Sequence, residues 1–349
     1  MAKQKETLDY RALLSRLKAE GPQRLYMLWG EEEYLLSCFI GELRAVCVTE
    51  SAEAFDTKRI EGPELDLAEL AAAIDAMPFF GERTLVELHA VDVNRIKSEN
   101  DVKTLLSLLS DIPAWCTVLI TLPVGVAPDG RTALVKKIKT LGLAQEFSAQ
   151  GESLLFPWIK KRVAAHGKTI GRAETERLVF LSGTLMNRLI PEIDKIAAYA
   201  QGDTVTLSDV DAAAHHLPEA NGFELTDALA RGHRDRAAEL MAELLAGDAE
   251  PIMINAVIAA QFRSLYAARL AMDRSLGDGY LSEITGKSGY FLSRLKETAR
   301  GFTLEELRGD IRLCAETDYL LKSDRNATPA ERMEELLIRI ALMRDHAAH

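Results

Sequence analysis

The chain has 349 residues, of which 48% are hydrophobic and 27% charged, with 53 acidic side chains against 42 lysines and arginines. That length predicts two or three domains with ample cores, and the composition excludes a disordered or low-complexity protein. A net charge of −11 excludes a protein whose whole surface grips nucleic acid, while leaving room for local basic patches.

The opening MAKQKETLDY lacks an apolar h-region, and PIMINAVIAAQF, the nearest approach to a membrane span, is broken by Asn255 and Gln261. A cytoplasmic protein that does not enter a membrane is expected. Cys38, Cys47, Cys116 and Cys314 form no CxxC pair and read as buried small residues. His215 and His216 precede Pro218 with no ligand cluster at metal spacing, so they read as a helix end, and no metal is expected.

In chain order, LYMLW (25–29), FDTKRI (55–60), TLVEL (84–88), WCTVLITL (115–122) and AQEF (144–147) read as strands. Helical patterns lie between them at 31–49, 66–76, 101–110 and 131–140. Such alternation predicts an α/β layer with a mainly parallel sheet over residues 1–147. Beyond residue 150 strand signals almost vanish. TLSD (206–209), TLEE (303–306) and TPAE (328–331) each match a capping box, the last with proline at the first helical position. HHLPEANG (215–222) reads as a linker dividing the helical part into 148–217 and 218–349.

Within the α/β part, the turn after the first strand is where a phosphate loop would stand, with glycines for backbone approach and a lysine for the terminal phosphates. Here the chain reads WGEEEYLLSCF, where Glu31, Glu32 and Glu33 repel a triphosphate and no lysine follows. HGKT (166–169) and TGKS (285–288) have Arg162 and Leu281 where the motif's first glycine belongs. The strand WCTVLITLP ends in Pro123 and Val124 rather than an acidic magnesium ligand. No serine elbow or H-E-x-x-H appears, so no catalytic residue is named and no cofactor is expected.

The ordered set LYMLWGEEEYLL, DAMPFFGERTLVEL, DGRTALVKKIKTLG, PEIDKIAAYA, TLSDVDAAA, GFELTDALARG and DYLLKS before MEELLIRIAL resembles bacterial DNA polymerase III delta subunits over nearly the whole chain. The resemblance implies an α/β plus all-α architecture: an AAA+-like (RecA-like) domain with a degenerate nucleotide site at 1–147, a helical lid at 148–217 and a helical collar at 218–349. It implies a clamp-loader subunit that does not hydrolyse ATP, within the DNA polymerase III holoenzyme. Its implied partners are the sliding clamp, the gamma/tau and delta-prime subunits through the collar, and primer-template DNA.

The same resemblance assigns Met77, Pro78, Phe79 and Phe80 to the element that wedges into the clamp. Adjacent helical residues point about 100° apart, so Phe79 and Phe80 cannot share one buried stripe. The competing reading makes them core residues leading into TLVEL. Asp75 stands where clamp-binding motifs often carry glutamine, a departure that puts one polar contact in doubt. Arg131, Lys136, Lys137 and Lys139 form one basic cluster, and Lys160, Lys161, Arg162, Lys168 and Arg172 another. Either is a DNA contact or a solvated helix face. Two further functional classes stay open: an active AAA+-like ATPase with a divergent site, marked by turnover of the isolated chain, and a helical DNA-binding scaffold, marked by steeply salt-dependent duplex binding without clamp binding.

Overall fold

The computed structural model describes residues 9–62, 65–247, 249–287, 289–323 and 327–347. The first eight residues of the opening segment and Ser288 of TGKS lie outside them. Contacts divide the chain into two units, the first running to Gly151 and including Leu185–Asn187.

In the first unit, α1 (Tyr10–Glu20) precedes β1 (Leu25–Gly30), α2 (Glu33–Cys47), α3 (Glu53–Asp56) and β2 (Thr57–Glu61). There follow α4 (Leu67–Asp75), β3 (Thr84–His89), α5 (Glu99–Ser110), β4 (Cys116–Thr121), α6 (Ala133–Leu141) and β5 (Leu143–Phe147). The strands pair in parallel in the order β2-β3-β4-β1-β5. Parallel neighbours need crossover segments, which is why helical periods separate the apolar runs in the sequence. The central strands β1, β3 and β4 are buried nearly throughout, because both faces are covered. Alternation sends Leu25, Met27 and Trp29 into the core with Ile74, Val86, Leu88, Val118, Ile120 and Ile138. On the other face Tyr26 meets Phe39, which in turn meets Phe147, both at 6.0 Å between ring centres.

The second unit holds α7 (Glu152–Ala165), β6 (Thr169–Ile170), α8 (Arg172–Ser182), most of α9 (Met186–Tyr199), β7 (Thr204–Val205) and α10 (Leu207–Ala213). It continues with α11 (Pro218–Ala230), α12 (Arg234–Ala246), α13 (Pro251–Asp273), α14 (Asp278–Thr285), α15 (Gly289–Ala299), α16 (Leu304–Ser323) and α17 (Pro329–Ala347). The only strands described here are β6 and β7, two residues each and paired in parallel. All three expected capping boxes form: Thr206 with Asp209, Thr303 with Glu306, and Thr328 with Glu331 exchange bonds in both directions. On α9, Glu192 and Lys195, three positions apart, pair at 2.8 Å.

HHLPEANG is not a linker throughout. Helix α11 starts at Pro218 and runs through Asn221 and Gly222. Proline suits the first helical position, and Gly222 is buried where a Cβ would come within 2.9 Å of Val257 on α13. Close approach of two helices explains a glycine that reads as a turn in sequence. Helix α13 buries Ile254, Ile258, Phe262, Leu265 and Ala268, while Ile338 and Leu342 of α17 and Tyr319 of α16 stay exposed.

Candidate protein-docking site

Helix α4 ends at Asp75, and Pro78 cannot supply the amide that another turn would need. The carbonyl of Ala76 accepts from Trp115 Nε1 at 3.2 Å, fixing the exit of the chain. Met77, Phe79 and Phe80 then stand out in solvent at 73%, 72% and 63% exposure, with Pro78 half-buried between them. The core reading of the two phenylalanines does not hold, since neither lies on a helix and both point outward. Their rings meet edge to face at 4.6 Å between centres.

A third ring joins them. Phe55, 66% exposed at the end of α3, stacks on Phe79 at 5.8 Å and meets Phe80 edge-on at 5.1 Å. Its neighbour Asp56 is buried and accepts the backbone N–H groups of Phe79, Phe80 and Gly81 at 2.5, 3.1 and 2.7 Å. Burial opposes ionisation of this carboxyl, but the three donors outweigh it and hold its pKa below the ordinary value. Gly81 fits because even a Cβ there would sit 3.2 Å from the Asp56 carboxylate. The sequence pattern puts Phe55 at the start of a strand and gives Asp56 no role. The strand begins only at Thr57.

The basic residues differ in what they meet. Lys136 and Lys137 are exposed on α6, whereas Lys139 lies over the Trp29 ring at 5.8 Å. Lys160 and Lys161 are exposed on α7. Arg162 instead turns to Asp194, with Nη2 and Nε at 3.0 and 3.2 Å, and His166 shares that carboxylate at 3.0 Å. Lys168 is taken by the carbonyls of Ala200 and Gly202, and Arg172 by Glu176 at 2.6 Å. Three of the five residues in the second cluster thus already have a partner within the chain, while Lys160 and Lys161 stay exposed.

At the end of β1, Gly30 has φ of 137°, and a Cβ there would lie 2.0 Å from the Phe147 carbonyl oxygen. The Glu32 amide donates to that carbonyl at 3.0 Å. Glu32 itself has no exposed surface; its Oε2 accepts the Met186 amide at 3.1 Å, and its Oε1 is buried without a partner among the described residues. Burial raises its pKa, with Glu31 and Glu33 adding to the effect against opposing amide bonds. A carboxyl thus takes a backbone donor of the kind an anion would use. Among the described residues no group of three or more His, Cys, Asp or Glu is arranged to hold a metal ion. The four cysteines are unpaired, and burial pushes Cys47 up to about 11 and Cys314 to about 12.

A five-stranded parallel sheet alternating with helices, followed by a largely helical part, makes this a mixed α/β plus α protein, with an exposed aromatic cluster beside the sheet. Residues 26–149 match the family described as DNA polymerase III, delta subunit, and residues 219–340 match DNA polymerase III delta subunit, C-terminal domain. The chain belongs to the DNA polymerase III delta subunit family. It is 27% identical over 305 residues to DNA polymerase III subunit delta of Bacillus subtilis, covering 86% of this chain and 88% of that one. A probable DNA polymerase III subunit delta of Aquifex aeolicus is 20% identical over 82% of each chain. The solved structure of the Bacillus subtilis DNA clamp loader delta protein shares the fold, with a TM-score of 0.58 at 24% identity, covering 95% of this chain and 99% of that one.

Proposed function

We propose that this delta subunit binds the ring-shaped sliding clamp through Met77, Pro78, Phe79 and Phe80 and opens the ring for loading on primed DNA, without turning over ATP itself. The observation that carries the reading is a pair of touching phenyl rings held in solvent by hydrogen-bonded backbone, on a chain of the delta family. Burying a phenyl ring yields roughly 1.5 to 3 kcal/mol, so two rings anchor a complex that surrounding contacts must complete. Opening requires only that the element bind the open ring better than the closed one. Pull-down of the sliding clamp from the same organism tests this. The intact chain retains the clamp, and Phe79→Ala/Phe80→Ala loses it with an unchanged melting curve. Equal retention by both defeats the assignment.

In this reading ATP turnover belongs to sister subunits. Support comes from the glutamate-filled turn at Gly30 and the buried Glu32 carboxyl. Residues 148–217 serve as the lid and 218–349 as the collar, where exposed Tyr319, Ile338 and Leu342 suit contact with the gamma/tau or delta-prime subunits. Primer-template DNA in the assembled loader meets Lys136, Lys137, Lys160 and Lys161; Lys139 and Arg162 are already engaged within the chain. The setting is the cytoplasm, and no described helix is long and apolar enough to cross a membrane.

A further inference from the structure

We propose that Phe55 is a third anchor of the docking surface, and that Asp56 is the positioning residue which assembles that surface before the partner arrives. The proposal rests on the clamp-binding reading of Phe79 and Phe80, and it adds a segment more than twenty positions away in sequence.

Phe55 is 66% exposed, so its ring contributes little to the core of its own unit. Yet it is not a stray apolar side chain: its ring centre lies 5.8 Å from that of Phe79 and 5.1 Å from that of Phe80, within the range of favourable aromatic pairs. Three rings in mutual contact form one continuous apolar surface, and a pocket that takes the Phe79–Phe80 pair meets Phe55 beside it. The next residue, Asp56, holds three successive amides of the element that bears the other two rings. One short helix therefore supplies a ring and fixes the positions of its two companions. A carboxylate accepting from several backbone N–H groups makes strong, directional bonds, so the chain gives up less freedom on docking.

The surroundings select the occupant. Glu53 is on the same helix as Phe55, and Asp75 and Glu82 flank the MPFF segment in sequence. Acidic neighbours disfavour nucleic acid phosphates and anionic lipid, and they suit an apolar protein pocket with a basic rim. On the clamp-binding reading the occupant is the sliding clamp, and the surface calls for a pocket rimmed by basic side chains.

The test measures affinity of the full chain for the purified clamp of the same organism, comparing wild type, Phe55→Ala, Asp56→Asn and Phe79→Ala/Phe80→Ala. Phe55→Ala is expected to weaken binding about tenfold at an unchanged melting temperature, and the double variant to lose it. Asp56→Asn retains the side-chain size but turns an NH2 group toward backbone donors. It is expected to speed hydrogen exchange at Phe79, Phe80 and Gly81 while the β1 and β4 amides stay protected, and to weaken binding without changing its stoichiometry. Wild-type affinity in Phe55→Ala, with the double variant inactive, overturns the third anchor and leaves the clamp-binding reading standing. Unchanged exchange at those three amides in Asp56→Asn overturns the positioning role. Wild-type binding by the double variant overturns the clamp reading and the proposal with it.

Discussion

Glu87, in the middle of β3, has no exposed surface and is nevertheless charged. Burial alone would raise its pKa, but bonds from His89 at 3.0 Å and from Arg44 at 2.7 and 2.8 Å reverse the effect and hold it at about 2. A carboxyl whose folded-state pKa is depressed stabilises the fold above its unfolded value and loses that contribution as pH falls. We expect Glu87→Gln to cost about 3 kcal/mol near neutrality, because it strands Arg44 beside a neutral amide, and the deficit to shrink from about pH 4.5 toward pH 2. Denaturant unfolding of both proteins across that range checks it; a constant difference speaks against the charged network. Glu32 carries the opposite sign. Its raised pKa means the folded state holds its proton longer than the unfolded chain, so stability falls as pH rises from the ordinary carboxylate pKa through the raised one. In Glu32→Gln that descending limb is expected to disappear from the same pH titration, and its persistence would place the titrating group elsewhere.

Elements, and the turns between them, set where these side chains stand. Gly30 ends β1 against the backbone of β5, in a conformation that side chains resist and at a distance that no Cβ tolerates. Gly30→Ala is therefore expected to cost at least about 3 kcal/mol or to prevent folding, read from its melting temperature or soluble yield. Near-wild-type stability would mean the β1–β5 contact is looser than described. The strands are legible at this scale, because buried parallel strands are apolar runs, and 25–29, 84–88 and 116–121 leave little else for such runs to be. The start of β2 is not legible: nothing in FDTKRI marks where the strand begins, whereas Asp56 ends a turn of helix and accepts amides more than twenty positions ahead. Non-local bonds of that kind leave no local pattern, so the odd adjacency of Phe79 and Phe80 hints at their exposure while the placement of Phe55 and Asp56 leaves no trace. Gly222 hides for a related reason, since its helix neighbour Val257 lies far along the chain.

At the scale of the whole molecule, a net charge of −11 restricts the proposed DNA contact to local basic patches. Replacing Lys136 and Lys137, or Lys160 and Lys161, with alanine should leave clamp binding unchanged. The salt dependence of DNA binding by the assembled loader should then fall by about one unit of log–log slope for each phosphate no longer neutralised. Unchanged slopes would return these lysines to the status of a solvated face. The family assignment puts the chain in DNA polymerase III, and the function proposed for the exposed rings is a mechanical one that would need no fuel at this subunit. A ligand that prefers an open ring shifts the opening equilibrium by its differential affinity alone. The most direct measurement starts with the sliding clamp threaded on closed circular DNA, adds the purified chain without nucleotide, and follows release of the clamp. The account predicts that the intact chain releases it and that Phe79→Ala/Phe80→Ala does not. Release by the double variant at the wild-type rate, or none by the intact chain although it binds the clamp, would contradict it.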